Sequence, residues 1–298
     1  MRRRPQCPHD PGMTVKLRPG VPDDANVCGQ ICYEAFGSLA AAHGFPSDFP
    51  APDAAIGLVG MLLDHPGFHS LVAEVEGQVV GSNFLDERSP IVGVGPITVA
   101  PTAQDDGIGR ALMDGVLARA VDISAPGVRL VQAGYHNRSL ALYAKLGFSF
   151  RESLACMQGP AMSTATPAGY TVRSATPEDV AACDALCRRV HGHHRHGEVA
   201  DAVDQNGALV VEHDDRISGY STGLAFFGHT VGENNEDLKA LIGSASEFAG
   251  PGILVPLSNS ELVGWCLASG LRVVQLMTLM TIGLCNEPAG AYLPSILY

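Results

Sequence analysis

The hydrophobic positions of this chain recur with a period of two in some segments and with helical spacing in others. Residues 70–81 and 208–219 each contain a β-branched apolar run, a two-residue turn of acidic residues or glycine, and a second short run. That order predicts a β-hairpin in both segments. Residues 92–101 read as an apolar strand that ends at a proline, and residues 111–120 carry apolar side chains at i, i+3 and i+4 spacing, which predicts a helix. The pattern predicts a mixed α/β fold.

The two hairpins belong to a longer internal repeat. Residues 18–24 match residues 173–179, and both segments predict a short strand, a turn and a helix that begins at a proline followed by acidic residues. The first copy has a longer stretch before its hairpin. This stretch, residues 43–66, is rich in proline, aspartate and alanine, and we expect it to form a loop and a helix on the substrate side.

A length of 298 residues fits two domains of ordinary size. Residues 158–168 are small and polar with two prolines, which is typical of a linker. We therefore predict a disordered extension at residues 1–12, one domain at residues 13–157 and a second at residues 169–298. Each domain is expected to consist of a mostly antiparallel, twisted sheet flanked by helices.

Composition narrows the classes of function. With 46% hydrophobic and 17% charged residues the chain is typical of a globular protein, and no apolar run is long enough to predict a membrane span. The arginines at residues 2–4 precede prolines instead of an apolar segment, so no secretory signal is predicted. Scattered cysteines favour reduced thiols in the cytoplasm. A formal net charge of −12 argues against a nucleic-acid partner and favours cationic substrates.

The segment between the strand at residues 92–101 and the following helix carries candidate chemistry. Its glycines, Gly107 and Gly109, lack the Cβ atoms that would keep phosphate oxygens from the backbone, and a helix N-terminus offers unpaired N–H groups with partial positive charge. A pyrophosphate fits such a turn if Asp105 and Asp106 face solvent. A dinucleotide-binding Rossmann motif is excluded because it needs three glycines and a βαβ beginning.

Two motifs carry a family resemblance. The pattern V-x-P-x-x-Q-x-x-G-I-G-R at residues 99–110 resembles the acetyl-CoA motif of the GNAT acetyltransferase superfamily, and residues 137–148 resemble its N-x-x-A-x-x-x-Y-x-K-x-G-F block. The resemblance implies a cofactor site at Ile97, Thr98, Val99, Gln104, Asp105, Asp106, Gly107, Ile108, Gly109, Arg110 and Asn137. It implies that the first three contact the acetyl and pantetheine groups, that the loop amides bind the pyrophosphate, and that Asn137 bonds the pantetheine arm.

Within the same resemblance, Tyr143 is the catalytic candidate. Its phenol would return a proton to the departing thiolate, and it is protonated at neutral pH. The general base is open between Asp86 and Glu87 after the hairpin, which are equally compatible with exposed turn carboxylates, and the C-terminal carboxylate of an apolar tail at residues 291–298. We expect direct attack by the amine, because no residue lies in a recognisable nucleophile elbow.

The second copy resembles the degenerate C-terminal domains found behind active GNAT domains. It has no Q-x-x-G-x-G motif, and counting from Asn259 places Trp265 where the first copy has Tyr143. We expect it to wall the substrate cleft. The histidines at residues 191–196 are expected to form a solvated loop and no metal site.

The resulting hypothesis is an enzyme that transfers acetyl from acetyl-CoA, without a metal, to a primary amine of a small molecule or a peptide. A homodimer is compatible with it. The alternatives are an acyl-CoA sensor without turnover and an acetylase of protein or peptide N-termini. Retention of Tyr143 favours an enzyme over a sensor, since a sensor needs no proton donor.

Overall fold

The computed structural model describes residues 14–162 and 166–298. The predicted N-terminal extension and residues 163–165 of the predicted linker lie outside the described residues. The first repeat contains β1 (Lys16–Pro19), α1 (Ala25–His43), α2 (Pro52–Asp64), β2 (Phe68–Val75), β3 (Gln78–Asp86), β4 (Ile91–Val94), β5 (Thr98–Val99), α3 (Ile108–Asp122), β6 (Gly127–Ala133), α4 (Asn137–Lys145) and β7 (Ser149–Gln158).

The second repeat follows the same order of elements in shorter form. It contains β8 (Tyr170–Ser174), α5 (Val180–His191), α6 (His196–Asp204), β9 (Leu209–His213), β10 (Arg216–Ser221), β11 (Thr230–Gly232), α7 (Asn235–Gly243), β12 (Ile253–Pro256), α8 (Ser260–Ala268), β13 (Arg272–Gly283) and β14 (Ala291–Leu293). Among the described residues, no helix is both long enough and apolar enough to cross a membrane.

Contacts confirm the repeat that the sequence predicts. Arg18 on β1 donates to both carboxylate oxygens of Asp24 at 2.7 and 2.8 Å, and its Nε donates to Glu74 at 2.6 Å. Arg173 on β8 donates to Asp179 at 2.6 and 2.9 Å and to Glu212 at 3.0 Å. The same ion-paired arginine therefore fixes the first strand, the following turn and the hairpin in both copies.

The strands form two sheets that are antiparallel except between β4 and β6. The larger sheet has the order β1-β2-β3-β4-β6-β13-β7-β12, with β5 paired to β3, and the smaller has the order β14-β11-β10-β9-β8. Helices α3 and α4 cover one face of the larger sheet and α1 and α2 the other, as the apolar clusters beneath them show. The predicted fold, two copies of a mostly antiparallel sheet flanked by helices, is confirmed.

The two repeats exchange their long strands. Strand β13 of the second repeat lies between β6 and β7 of the first, and it pairs with β7 over residues 272–281 and with β6 over residues 277–283. In turn β7 lies between β13 and β12, so that it also extends the second repeat. The chain crosses between repeats near residues 158–168, but the hydrogen-bonded sheet continues across that point. The predicted domain limits stay a prediction.

Buried charges also join the repeats. Arg88, after β3, donates to Asp201 on α6 at 2.8 Å, and Ser89 donates to Glu198 at 3.2 Å. Arg195 donates twice to Glu198, at 2.6 and 2.7 Å, and all of this cluster lies between the two repeats. Removing one partner would leave a buried charge uncompensated, so the cluster holds the repeats in one arrangement.

Candidate active site

The site begins where two parallel strands part. Residues 91–93 of β4 pair with residues 127–129 of β6, and the pairing stops there. The chain then turns at Gly95 and Pro96 and resumes as β5, which pairs with β3 only. Strand β6 continues to Ala133. The two strand edges that face each other across this opening are left without a strand partner.

A cavity of about 550 Å³ passes through the opening from the α3 and α4 face to the α1 and α2 face. Most residues that the sequence singles out line it, namely Ile97, Thr98, Val99, Gln104, Asp105, Gly107, Ile108, Gly109, Arg110 and Tyr143. Asp106 and Asn137 do not line it, and both are exposed. Arg138 and Ser139, the neighbours of Asn137 on α4, line it instead.

At one end of the cavity lies the N-terminus of α3. Gly107 is its N-cap residue, with a φ of 80° and no side-chain cap, so the first-turn N–H groups are left open toward the cavity. A Cβ added to Gly109 would lie 3.8 Å from its nearest neighbour, a Val99 side-chain atom, so packing does not require glycine there. The absent side chain instead leaves space in front of the helix dipole, as an anion site needs.

The side chains around the α3 end of the cavity leave the backbone N–H groups of the loop and of the first helical turn accessible. Asp105 turns outward and pairs with Arg138 at 3.2 Å, and its side chain is 78% exposed. Arg110 pairs with Asp114 along the helix at 3.5 Å. The Gln104 side chain donates to the carbonyl of Val99 at 3.1 Å, which ties the loop to the strand. Gln104 therefore fixes the loop with its side chain, and this leaves its backbone amide for the role that the sequence predicts.

Tyr143 lies on the cavity wall at the centre of the opening. It is only 5% exposed, and its ring packs edge-on against Phe148 with centroids 6.0 Å apart. Its carbonyl accepts from the Phe148 amide at 3.0 Å, which closes the turn after α4. Burial raises the pKa of the Tyr143 phenol to about 12, so it is protonated at neutral pH.

The opposite end of the cavity was not identified from the sequence. It is lined by residues of α1, the α1–α2 loop and α2, and by residues of the second repeat: Phe36, Asp48, Phe49, Leu58, Phe226, Phe227, Pro251, Met277, Ile296 and Leu297. The second repeat and the α1–α2 segment thus both line this end of the cavity. That the substrate binds here stays a prediction.

Neither Asp86 nor Glu87, two of the three carboxylates that the sequence offers as general base, reaches the cavity. Asp86 is buried and accepts from Arg88 at 2.6 and 2.9 Å, and Glu87 accepts from Arg119 at 2.7 and 2.8 Å. Asp86 and Glu87 are absent from the cavity lining. Two arginines hold both carboxylates away from the cavity, and Tyr298, whose terminal carboxylate is the third candidate, is likewise absent from the lining. The general base stays open.

The second repeat lacks this geometry in three ways. The N-terminus of α7 is capped by Asn234, whose side chain accepts from the amides of Glu236 and Asp237. Strand β14 pairs with β11 and contacts β12, so it fills the place of the opening. At the position of Tyr143, the seventh residue of its helix, α8 has Cys266, whose carbonyl accepts from the Leu271 amide at 3.0 Å. The match of Trp265 to Tyr143 is therefore wrong by one residue.

The histidine-rich segment differs from its expected form. His191 and His193 are buried, and Arg195 between them and α6 is only 3% exposed, so a solvated loop is the wrong description. His193 lies 3.3 Å from the Tyr298 hydroxyl, and Arg195 donates to the Tyr298 carbonyl. Within the described residues, no group of three or more ligand-type side chains could hold a metal. The segment anchors the last residues of the chain.

Comparison with known proteins gives a consistent result. Residues 66–150 match the family model of the acetyltransferase (GNAT) domain. A putative acetyltransferase from Pyrococcus horikoshii shares 15% identity over 98% of both chains, with a TM-score of 0.71. A GCN5-related N-acetyltransferase from Sphaerobacter thermophilus shares 16% identity over 92% of this chain and 96% of its own, with a TM-score of 0.60.

A tandem GNAT protein from the clavulanic acid biosynthesis pathway shares 17% identity, covers 91% of this chain and 98% of its own, and has a TM-score of 0.55. At these identities the likeness establishes the fold. No significant match was found among curated proteins.

Proposed function

We propose that this member of the GNAT acetyltransferase family transfers an acetyl group from acetyl-CoA to a primary amine of a small molecule or peptide, by direct attack in a ternary complex. One observation carries the proposal. A single cavity connects an uncapped helix N-terminus, an open strand edge and a buried phenol, and continues to a separate end that can hold an acceptor.

The cofactor would occupy the end nearest α3. Amides of residues 104–110 would bind the pyrophosphate, with Asp106 contributing its backbone only, since its side chain is exposed. The pantetheine arm would lie along Ile97, Thr98 and Val99 in the opening beside β6. Asn137 is expected to contact the arm from the start of α4, next to the cavity-lining Arg138.

In the reaction the unprotonated amine nitrogen attacks the thioester carbonyl, a C–N bond forms as the C–S bond breaks, the nitrogen loses a proton to solvent, and the coenzyme leaves as a thiolate. Tyr143 would donate a hydrogen bond from its phenol to that sulfur, and the proton that the amine loses balances the one that the thiolate takes up from solvent. No cysteine lines the cavity among the described residues, and burial raises the pKa of nearby thiols such as Cys28 to about 11. Direct transfer is therefore favoured over an acetyl-cysteine intermediate.

Unpaired cysteines also favour a cytoplasmic setting.

The proposal is tested by following release of free coenzyme A thiol from acetyl-CoA across amines, polyamines, amino acids, aminoglycosides and short peptides. Amine-dependent release by the wild type, reduced in Tyr143→Phe, is the expected result. Tight binding of acetyl-CoA without release from any acceptor would favour the sensor alternative. Absence of acetyl-CoA binding would refute both.

A further inference from the structure

The acceptor end of the cavity is largely apolar. Its walls include Phe36 and Phe49 from the first repeat and Phe226, Phe227 and Leu297 from the second. The Phe36 and Phe49 rings pack with centroids 6.2 Å apart. Such a wall binds a hydrocarbon or aromatic body and offers few partners to a polyhydroxylated or polycationic one.

The charged side chains that line the cavity differ between its two ends. The basic residues Arg110 and Arg138 and the carboxylate of Asp105 lie at the α3 and α4 end. At the acceptor end the charged group in the lining is Asp48, from the α1–α2 loop. Burial lowers the pKa of the neighbouring His136, so it adds no positive charge at neutral pH. The acceptor end therefore has a negative potential on an apolar wall.

Asp48 has no cationic partner among the described residues. The side-chain amide of Gln275 on β13 donates a hydrogen bond to the Asp48 carboxylate at 3.5 Å. Burial raises the pKa of the Asp48 carboxyl. By contrast, Asp24, Asp86 and Asp179 each pair with an arginine within 2.7 Å. A half-buried carboxylate without a cation is costly, and a cationic ligand would compensate it.

A second polar group points to a ligand in the same cavity. Gln132 on β6 is only 7% exposed, lines the cavity, and has no hydrogen-bond partner for either amide atom within the described part of the chain. Buried amides are almost always paired in folded proteins. Its oxygen and nitrogen are available to whatever occupies the cavity.

From these observations we propose that the acceptor is a primary amine on a compact apolar body without a carboxylate, that Asp48 binds its ammonium group, and that Gln132 hydrogen-bonds the bound reactants. This inference rests on the proposed acetyl transfer. It excludes amino acids as good acceptors because Asp48 would repel an α-carboxylate. It also disfavours polyamines, because a second ammonium group would have to leave water at an end where the lining offers no second carboxylate.

The test compares 2-phenylethylamine, phenylalanine and spermidine as acceptors by thiol release, with acetyl-CoA saturating. Wild type should use 2-phenylethylamine with a kcat/KM at least about 10-fold above that of the other two, because phenylalanine brings a carboxylate toward Asp48 and spermidine brings a second charge that must be desolvated. Asp48→Asn keeps the shape and removes the charge. It should lower kcat/KM for 2-phenylethylamine about 10- to 100-fold, and it should reduce the preference over phenylalanine.

Asp53→Asn is the matched control, because Asp53 lies in the first turn of α2, is exposed, and does not line the cavity. It should leave all three acceptors unchanged. A purely structural role of Asp48 would lower all acceptors by the same factor and keep their ratio, which would overturn the inference. A wild-type preference for phenylalanine or spermidine would overturn it too.

A binding measurement distinguishes failure of this inference from failure of the proposed function. Calorimetry of 2-phenylethylamine with the wild-type complex of free coenzyme A should show binding that Asp48→Asn weakens about 10-fold or more. Binding of this kind without thiol release from acetyl-CoA would refute the transferase and leave the acceptor site standing. Release without a response to Asp48→Asn would refute only the acceptor site.

Discussion

Replacing Tyr143 by phenylalanine removes one oxygen atom from the centre of the cavity. The ring is 95% buried and packs edge-on against Phe148, and a phenylalanine keeps that packing and the backbone hydrogen bond to residue 148. Swaps that conserve shape in this way usually cost less than about 1.5 kcal/mol of folding free energy. The variant should therefore fold, and a change in rate can be assigned to the missing hydroxyl.

The size of the effect follows from the pKa of the phenol. At about 12 it lies roughly 3.5 units above that of a free thiol, so complete proton transfer to the thiolate is uphill by about 5 kcal/mol. Tyr143 would then act mainly as a hydrogen-bond donor to the developing negative charge on sulfur. Hydrogen bonds to charged groups contribute about 1.5–3 kcal/mol, which corresponds to a loss of about 10- to 150-fold in kcat.

The assay is steady-state thiol release with the preferred amine, at saturating acceptor and varied acetyl-CoA. Tyr143→Phe should lower kcat by that factor and change the KM for acetyl-CoA by less than about 3-fold, because the lost bond forms mainly as the C–S bond breaks. Melting temperature and circular dichroism report on folding. An unchanged kcat in a folded variant would show that the phenol does not assist departure of the thiol.

Three further predictions concern the phosphate end, the histidines and the last residue. Gly109→Ala should raise the KM for acetyl-CoA about 10-fold with little change in melting temperature, since its Cβ would make only ordinary van der Waals contact, 3.8 Å from Val99. Gly29→Ala, whose Cβ would lie 2.5 Å from the α2 backbone, should instead destabilise by about 1–3 kcal/mol without that KM effect. Burial lowers the pKa of His193 to about 4, so the unfolded chain binds more protons between pH 6.5 and 4. Stability should fall by up to roughly 3 kcal/mol as the pH falls through that window, and thermal scans of His193→Gln should show a shallower slope. Tyr298→Ala should cost about 3–5 kcal/mol in denaturant unfolding, because the 3% exposed ring lies under two guanidinium groups; a loss below 1 kcal/mol would contradict this packing.

Local patterns allowed the repeat and the cofactor end to be predicted. The turn around Gly107 depends on residues within one strand–loop–helix unit, so its glycines and their spacing carry the information. The same holds for Arg18 and Arg173, whose partners recur at matching positions. The acceptor end could not be predicted in this way. Asp48 faces the cavity only because α1, β13 and the second repeat meet there, and a lone aspartate between a serine and a phenylalanine has no local signature.

The strand exchange could not be predicted from the sequence, for a related reason. An apolar alternating segment such as β13 predicts a buried strand, but it does not specify which sheet receives it. The error at Trp265 has a simpler cause. The asparagines were used to align the two helices, whereas Asn137 is the first residue of α4 and Asn259 is the N-cap of α8. Gly147 and Gly270, which follow Tyr143 and Cys266 by four residues, give the alignment that the backbone adopts.

The exchange also brings residues of the second repeat into the cavity of the first. In the first repeat β4 and β6 part and leave an opening, whereas in the second β14 pairs with β11 and contacts β12 at the corresponding place. A ligand arm there would have to displace a strand of its own chain, so loss of the glycines in that copy costs nothing. The residues after β14 continue into the first repeat, where Ile296 and Leu297 line the acceptor end. The segment that closes the second opening thus helps to shape the substrate end of the first, and β13 completes the sheet on which Gln132 lies. Loss of chemistry in one copy and completion of the site in the other follow from the same topology.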